Sequence, residues 1–115
     1  MSDIEKIKSA LNAFAEDRDW DQFHTPKNLA MALTAEVGEL IEHFQWDTPA
    51  QICKYDAAKK SMIADEMADV LSYLVRLSDK LEIDLVESFW NKIEKNKEKY
   101  PVDKAKGTAK KYTEL

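Results

Sequence analysis

The sequence predicts an all-helical domain, and three observations carry that expectation. The 115 residues include only two Gly and three Pro, too few for the tight turns of a β-rich chain. Ala, Leu, Glu and Lys, which favour helix, are in excess. Apolar residues recur at three- and four-residue spacing along most of the chain. The length fits one domain spanning 1–115, large enough to bury about two-thirds of its unfolded surface.

The elements follow in order. Ser2 and Asp3 can cap a first helix, on which Ile4, Ile7, Leu11 and Phe14 share a face. The segment from Glu16 to His24 is charged, carries two large aromatics and has no period, so it reads as a loop. Thr25-Pro26 is a helix start, a capping hydroxyl followed by Pro at the first helical position. The second helix should run from Pro26 to about Phe44, with Leu29, Leu33, Val37, Leu40 and Phe44 as its apolar stripe. Thr48-Pro49 is a second start signal, read as a short turn, with a loop near Tyr55. The third helix should span about Ala57 to Leu81. Asp84 followed by Glu87 resembles a capping box and opens a fourth helix to about Lys99, which Pro101 ends. Residues 101–115 are Lys-rich and read as a tail or extended arm.

Charge and composition exclude several classes. A formal net charge of -5 makes the chain a poor general nucleic-acid binder, because polyphosphate would repel it. The single cysteine, Cys53, excludes an internal disulfide framework and a Cys-based zinc site. No apolar run approaches the ~20 residues needed to span a bilayer, and MSDIEKIK lacks the apolar stretch of a signal peptide. A cytoplasmic chain with no membrane partner is expected.

The third helix bears on assembly. Twelve of the 21 residues from Ala58 to Ser78 are apolar or aromatic, whereas a surface helix needs only about a 100° stripe. Either this helix is central in the monomer or a second copy of the chain covers part of it.

Two acidic pairs carry the chemistry. Glu36-Val37-Gly38-Glu39 lies on the second helix and Glu66-Met67-Ala68-Asp69 on the third. The i,i+3 spacing puts each pair on one face, one turn apart, beside apolar stripes that draw them toward the interior. If the two helices pack together, four carboxylates converge and need a counter-charge. A hard divalent cation with oxygen ligands, Mg²⁺ or Mn²⁺, suits such a set better than zinc does. A di-iron bundle would need Glu-x-x-His motifs, and neither His24 nor His43 follows a Glu at that spacing. The competing reading is a solvated acidic helix face. Gly38 sits between the glutamates, where Gly costs about 1 kcal/mol relative to Ala, so a close backbone approach is expected there.

EVGEL on one helix and DEMADVLSYL on the next resemble the ExxE…ExxD signature of the MazG-like, all-α nucleoside triphosphate pyrophosphohydrolases. RDWDQFH, PKNLAMAL leading into EVGELIEHFQW, and the closing NKEKYP and KKYTEL resemble the dCTP pyrophosphatase branch of that family. The resemblance runs from about Leu11 to the C-terminus. It implies a four-helix bundle working as a homodimer or homotetramer. It also implies Mg²⁺-dependent attack of water on the α-phosphorus of a nucleoside triphosphate, giving the monophosphate and pyrophosphate. By the same resemblance Glu36, Glu39, Glu66 and Asp69 are the catalytic, metal-binding acids. Trp20, Asp21, Gln22, Phe23 and His24 match substrate-contacting positions, and Trp46 and Tyr73 match residues near base and sugar. Lys92 and Asn96 match polar residues facing phosphate. Lys97, Glu98 and Lys99 replace an arginine cluster common before the Tyr-Pro, which puts point charges where a planar fork is usual.

Physical chemistry supports several of these roles separately. In-line displacement at phosphorus is mostly positioning and charge neutralisation. Trp20 and Trp46 offer flat faces on which a base could stack, though a core or interface role is open to each. An alternative from another class is a non-catalytic helical assembly or partner-binding protein with a vestigial metal site. It accounts for the wide third helix but not for the four acids.

Overall fold

The computed structural model describes residues 1–115. Every regular element is helical: α1 (Asp3–Asp17), α2 (Pro26–Glu42), α3 (Pro49–Ile52), α4 (Ala57–Lys80), α5 (Leu85–Lys99) and α6 (Val102–Ala105), with 3₁₀ turns at Asp21–Phe23 and Tyr112–Glu114. The chain divides into two compact units, 1–83 and 84–115. No helix is long and apolar enough to cross a membrane.

Side-chain caps open the longer helices. In α1 Ser2 Oγ accepts from the Glu5 backbone N–H while Glu5 Oε2 accepts from the Ser2 N–H, so two otherwise orphaned donors are satisfied. Thr25, with Pro26 behind it, accepts from Asn28 N–H and starts α2. Thr48 and Gln51 form a reciprocal box that winds Pro49–Ile52 into a full helical turn. Asp56 and Asp84 accept from Lys59 and Glu87 N–H at the starts of α4 and α5.

The stops are less visible in the sequence. Helix α1 runs on to Asp17, past the point where the charged segment begins, and α2 ends at Glu42 rather than at Phe44. Both α1 and α4 close with a left-handed residue that is not Gly, Asp19 at φ 54° and Glu82 at φ 55°. Behind each, an N–H reaches five residues back, Trp20 to the Ala15 carbonyl and Ile83 to that of Ser78, both at 2.9 Å. This is the Schellman pattern, which normally recruits Gly.

In the first unit α4 is central, packing against both α2 and α1. Ala15 of α1, Leu29 of α2, and Ile63 and Val75 of α4 are the buried apolar core. Much of the wide apolar band on α4 stays uncovered: Met67 is 58% exposed and Leu71 41%. In the second unit the chain after α5, expected as a tail or extended arm, is partly helical. It forms α6 and a last 3₁₀ turn, and Tyr112 packs edge-on against Tyr100 at 6.0 Å with Lys99 Nζ 4.9 Å from its ring centre.

Candidate active site

Packing of α2 against α4 brings the acidic pairs together. Glu36 and Glu39 stand one turn apart on α2, and Glu66 meets them from α4. One carboxylate oxygen from each of the three lies within 4.8 Å of the others. Oε2 of Glu36 and Oε2 of Glu66 are buried with no hydrogen-bond partner. Burial, followed by the charge of Glu39, pushes the Glu36 carboxyl from 4.5 up to about 7. Glu66 is also raised, by burial first and then by Glu39, with His43 acting against the shift. Asp69, one turn beyond Glu66, falls outside the tight trio, but its charge adds to the rise at both Glu36 and Glu66.

His43 and Lys59 approach this cluster in series. His43 Nε2 lies 3.8 Å from Glu66 Oε1, and its Nδ1 lies 3.1 Å from Lys59 Nζ. An ammonium can only donate, so Nδ1 accepts and the ring turns an N–H toward Glu66. Tyr55, hydrogen-bonded to the His43 carbonyl and to Asp47, fixes the turn that carries the ring. Two orphaned buried oxygens in an all-carboxylate set fit a hard divalent cation, which would supply the missing positive charge.

Beside this cluster a cavity of about 290 Å³ opens among α1, α4 and the segment leading into α2, near the lower end of the ~300–1,000 Å³ usual for small-molecule sites. Leu11, Phe14 and Ala15 supply an apolar side; Trp20, His24, Asp69, Ser72, Tyr73 and Arg76 supply the rest. Asp69 therefore joins the two regions, since it lines the cavity and bears on the acids. Trp20 is held edge-on by Phe14 at 5.7 Å and remains 44% exposed, which leaves ring surface for a ligand.

Of the five loop residues singled out, the structure brings Trp20 and His24 to the cavity and directs the other three elsewhere. Asp21 is engaged by Arg76 and Lys80. Those two cations hold its carboxyl below the ordinary range. Gln22 donates back to Asp19, and Phe23 is exposed, its carbonyl accepting from Asn28 Nδ2. Tyr73 lines the cavity. Trp46 does not: it sits in the turn after α2 with 85% of its surface exposed. Lys92 and Asn96 lie one turn apart on α5 in the second unit, Lys92 exposed and Asn96 half-buried. Gly38 corrects an expectation. Nothing comes within 4 Å of a Cβ built there, so no close approach within the chain requires it.

Sequence reasoning passed over Arg76, His43 and Lys59. Arg76 had a readable signal: 66, 69, 73 and 76 follow helical spacing, which sets the Arg on the face of Glu66, Asp69 and Tyr73.

Comparisons with known proteins bear on the family and the fold. The family model of the MazG-like family matches residues 31–115. The chain is 41% identical over 114 residues to dCTP pyrophosphatase 1 of Mus musculus, covering 97% of this chain and 67% of that protein. With dCTP pyrophosphatase 1 of Homo sapiens the identity is 40%, over 97% of this chain and 67% of the relative. Among solved structures, a pyrophosphatase from Archaeoglobus fulgidus superposes with a TM-score of 0.82 at 39% identity, covering 88% of this chain and 94% of that one.

Proposed function

The chain belongs to the MazG-like family, and from that premise we propose that it is a nucleotide pyrophosphohydrolase that converts a deoxynucleoside triphosphate, dCTP foremost, to the monophosphate and pyrophosphate. One observation carries the reading: a carboxylate trio with two orphaned buried oxygens adjoins a cavity walled by Trp20, His24 and Tyr73, and Asp69 faces both. Glu39 is exposed and Glu36 and Glu66 are half-buried, so the reading rests on the two buried, unpartnered oxygens and on the cavity beside them.

Glu36, Glu39, Glu66 and Asp69 would hold the cation, for which Mg²⁺ is the choice and Mn²⁺ the substitute, because the donors are all hard oxygens. When bound, the ion neutralises phosphate charge and lowers the pKa of a coordinated water. The rest falls to the chain. Trp20 and Tyr73 offer ring surface to the nucleoside, and an indole face stacks on any base. A ligand seated there would run its phosphates past Asp69 toward the acids. The family resemblance alone assigns Lys92 and Asn96 to phosphate and Trp46 to the nucleoside. The uncovered band on α4 supports a homodimer or homotetramer, and the acidic surface charge supports a partner list without nucleic acid. A cytoplasmic setting and a single MazG-like domain over 1–115 complete the reading.

The test is direct. Purified chain is incubated with each of the four common dNTPs, with and without Mg²⁺, and pyrophosphate is measured. Metal-dependent release, fastest from dCTP, is expected. Metal-independent release, or none from any dNTP, would overturn the proposal.

A further inference from the structure

Arg76 is a buried cation in the middle of an otherwise apolar stretch of α4. Only 5% of it is exposed. Its Nη1 donates to Asn12 Oδ1 of α1 at 2.6 Å, and its Nη2 donates to Asp21 Oδ1 at 3.2 Å. The same Nη2 lies 3.0 Å from His24 Nδ1. A guanidinium has five N–H groups, accepts nothing and is never deprotonated in proteins. The contact with His24 therefore has one possible polarity, in which Nδ1 offers its lone pair. The ring proton is then on Nε2, and the ring is neutral. No group of the chain hydrogen-bonds Nε2, and the ring lies on the cavity wall.

We propose that Arg76 is a positioning residue that fixes His24 as a neutral imidazole with its proton on Nε2, so that the histidine presents the cavity with a hydrogen-bond donor and selects a ligand bearing an acceptor there, such as a base carbonyl oxygen. A histidine of this kind is neither a general base nor a cation for phosphate. It reads a neutral oxygen, and a base whose only polar group at that place is an amino group is rejected, because two donors would face each other.

The charges around the ring agree with this polarity. Arg76 and Lys80 face it from α4, and Asp21 from its own turn; Asp69 stands on the cavity wall. Burial, then the Arg76 charge, holds the ring below its ordinary 6.5, with Asp21 opposing. Asp21 pairs with the guanidinium and with Lys80, and Asn12 ties the same guanidinium to α1. The loop that carries Trp20 and His24 is thus held by two side chains from α4, Arg76 at Asp21 and His24 and Lys80 at Asp21.

The role of Arg76 does not depend on turnover, whereas the ligand step rests on the proposed nucleotide site. Long-range proton–nitrogen NMR of the imidazoles in the free chain at neutral pH separates the two. His24 is expected with Nδ1 unprotonated and Nε2 protonated. An Nδ1–H tautomer or an imidazolium would overturn the proposal with no variant made. Arg76→Met should lose the fixed tautomer and show exchange between both forms, and Arg76→Lys, which still donates, should restore it. In steady-state kinetics with dCTP, Arg76→Met should raise KM about tenfold, equivalent to roughly 1.4 kcal/mol, with a smaller change in kcat. An unchanged KM in a folded Arg76→Met protein whose tautomer is lost would overturn the ligand step. If the tautomer is as stated and no dNTP is hydrolysed, the function reading fails while the Arg76 assignment stands.

Discussion

Around Glu36, Glu39 and Glu66 three carboxylates gather with two buried oxygens unpartnered. Two to three turns further along α4, Arg76 gathers Asn12, Asp21 and His24, and only its Nε is left without a partner. The first region lacks positive charge and carries raised carboxyls. The second brings its cation and its anion with it. A buried polar group costs free energy unless it is hydrogen-bonded. The acidic trio therefore weakens the metal-free fold more than the Arg76 node does, where one buried N–H is left unpaired but opposite charges meet. The difference separates what each region is for: one is completed by something that arrives, the other is complete beforehand and holds a shape.

Removing a carboxylate gives the largest expected effect and tests the contrast most sharply. Glu36→Gln, Glu39→Gln, Glu66→Gln and Asp69→Asn should each cut activity by about 100-fold or more, because a metal ligand is lost. The metal-free melting temperature should hold or rise, since each change removes repulsion. Full activity in Glu66→Gln would break the comparison at its first term. The opposite holds across the way: Arg76→Met should lower the melting temperature, because buried donors and acceptors lose their partners.

Next in size is the pH dependence. Glu36 sits at about 7 in the folded chain against an ordinary 4.5. Between those values the folded state holds a proton that the unfolded state has lost. Stability is therefore fullest below the window and declines as pH climbs through it. The metal-free chain should lose several degrees of melting temperature between pH 5 and pH 8 (roughly, on the usual scale for a domain of this size). Glu36→Gln should flatten that slope. Mg²⁺ added at pH 8 should raise the melting temperature, because a ligand that binds only the folded state stabilises it. A flat profile in the metal-free native chain would mean that the trio is already neutralised.

A second copy of the chain is one source of such neutralisation, so assembly comes third. Met67, Leu71 and Leu74 form one exposed stripe on α4, at i, i+4 and i+7. Sedimentation at micromolar concentration should show at least a dimer, and Met67→Lys combined with Leu71→Lys should dissociate it. A lone 13.3 kDa species from the native chain would end the oligomer reading. A dimer with no pH slope would place the counter-charge in the partner.

How much of this was legible in the sequence depends on whether the signal was local. Ser2, Thr25-Pro26, Thr48-Pro49 and Asp84 start helices by bonding within three residues, and each start could be read. The i,i+3 acid pairs needed only helical periodicity. The helix stops were harder, because Asp19 and Glu82 take the left-handed position that Gly would announce. For Arg76 helical spacing gave the face it shares with Glu66, Asp69 and Tyr73, but its partners Asn12, Asp21 and His24 lie 52 to 64 residues away, and no spacing rule reaches them. Gly38 misled for the opposite reason, since a helix-interior Gly implies a neighbour and this chain supplies none.

The smallest expected effect concerns the two tryptophans, which belong to opposite sides of the comparison. Trp20 rests against Phe14 and lines the prebuilt cavity. Trp46 is 85% exposed in the turn that follows the helix of Glu36 and Glu39. An indole left that open in one chain is a waiting surface, as the carboxylates are. On the proposed function, its cover is either the ligand or a second copy. Trp20→Ala removes a stacking face worth roughly 1–3 kcal/mol, so KM should rise by about tenfold or more with kcat falling less, because the phosphates still meet the acids. Trp46→Ala should raise KM by less, about three- to tenfold on the same scale, if its ring closes over the nucleoside from outside the cavity. If the ring seals a subunit contact instead, Trp46→Ala dissociates the oligomer and lowers the melting temperature, and KM in the remaining folded protein is unchanged. Measuring KM, sedimentation and melting on both variants assigns Trp46 to the ligand or to the partner. A larger KM effect at Trp46 than at Trp20 would show that the prebuilt cavity is not where the base is held.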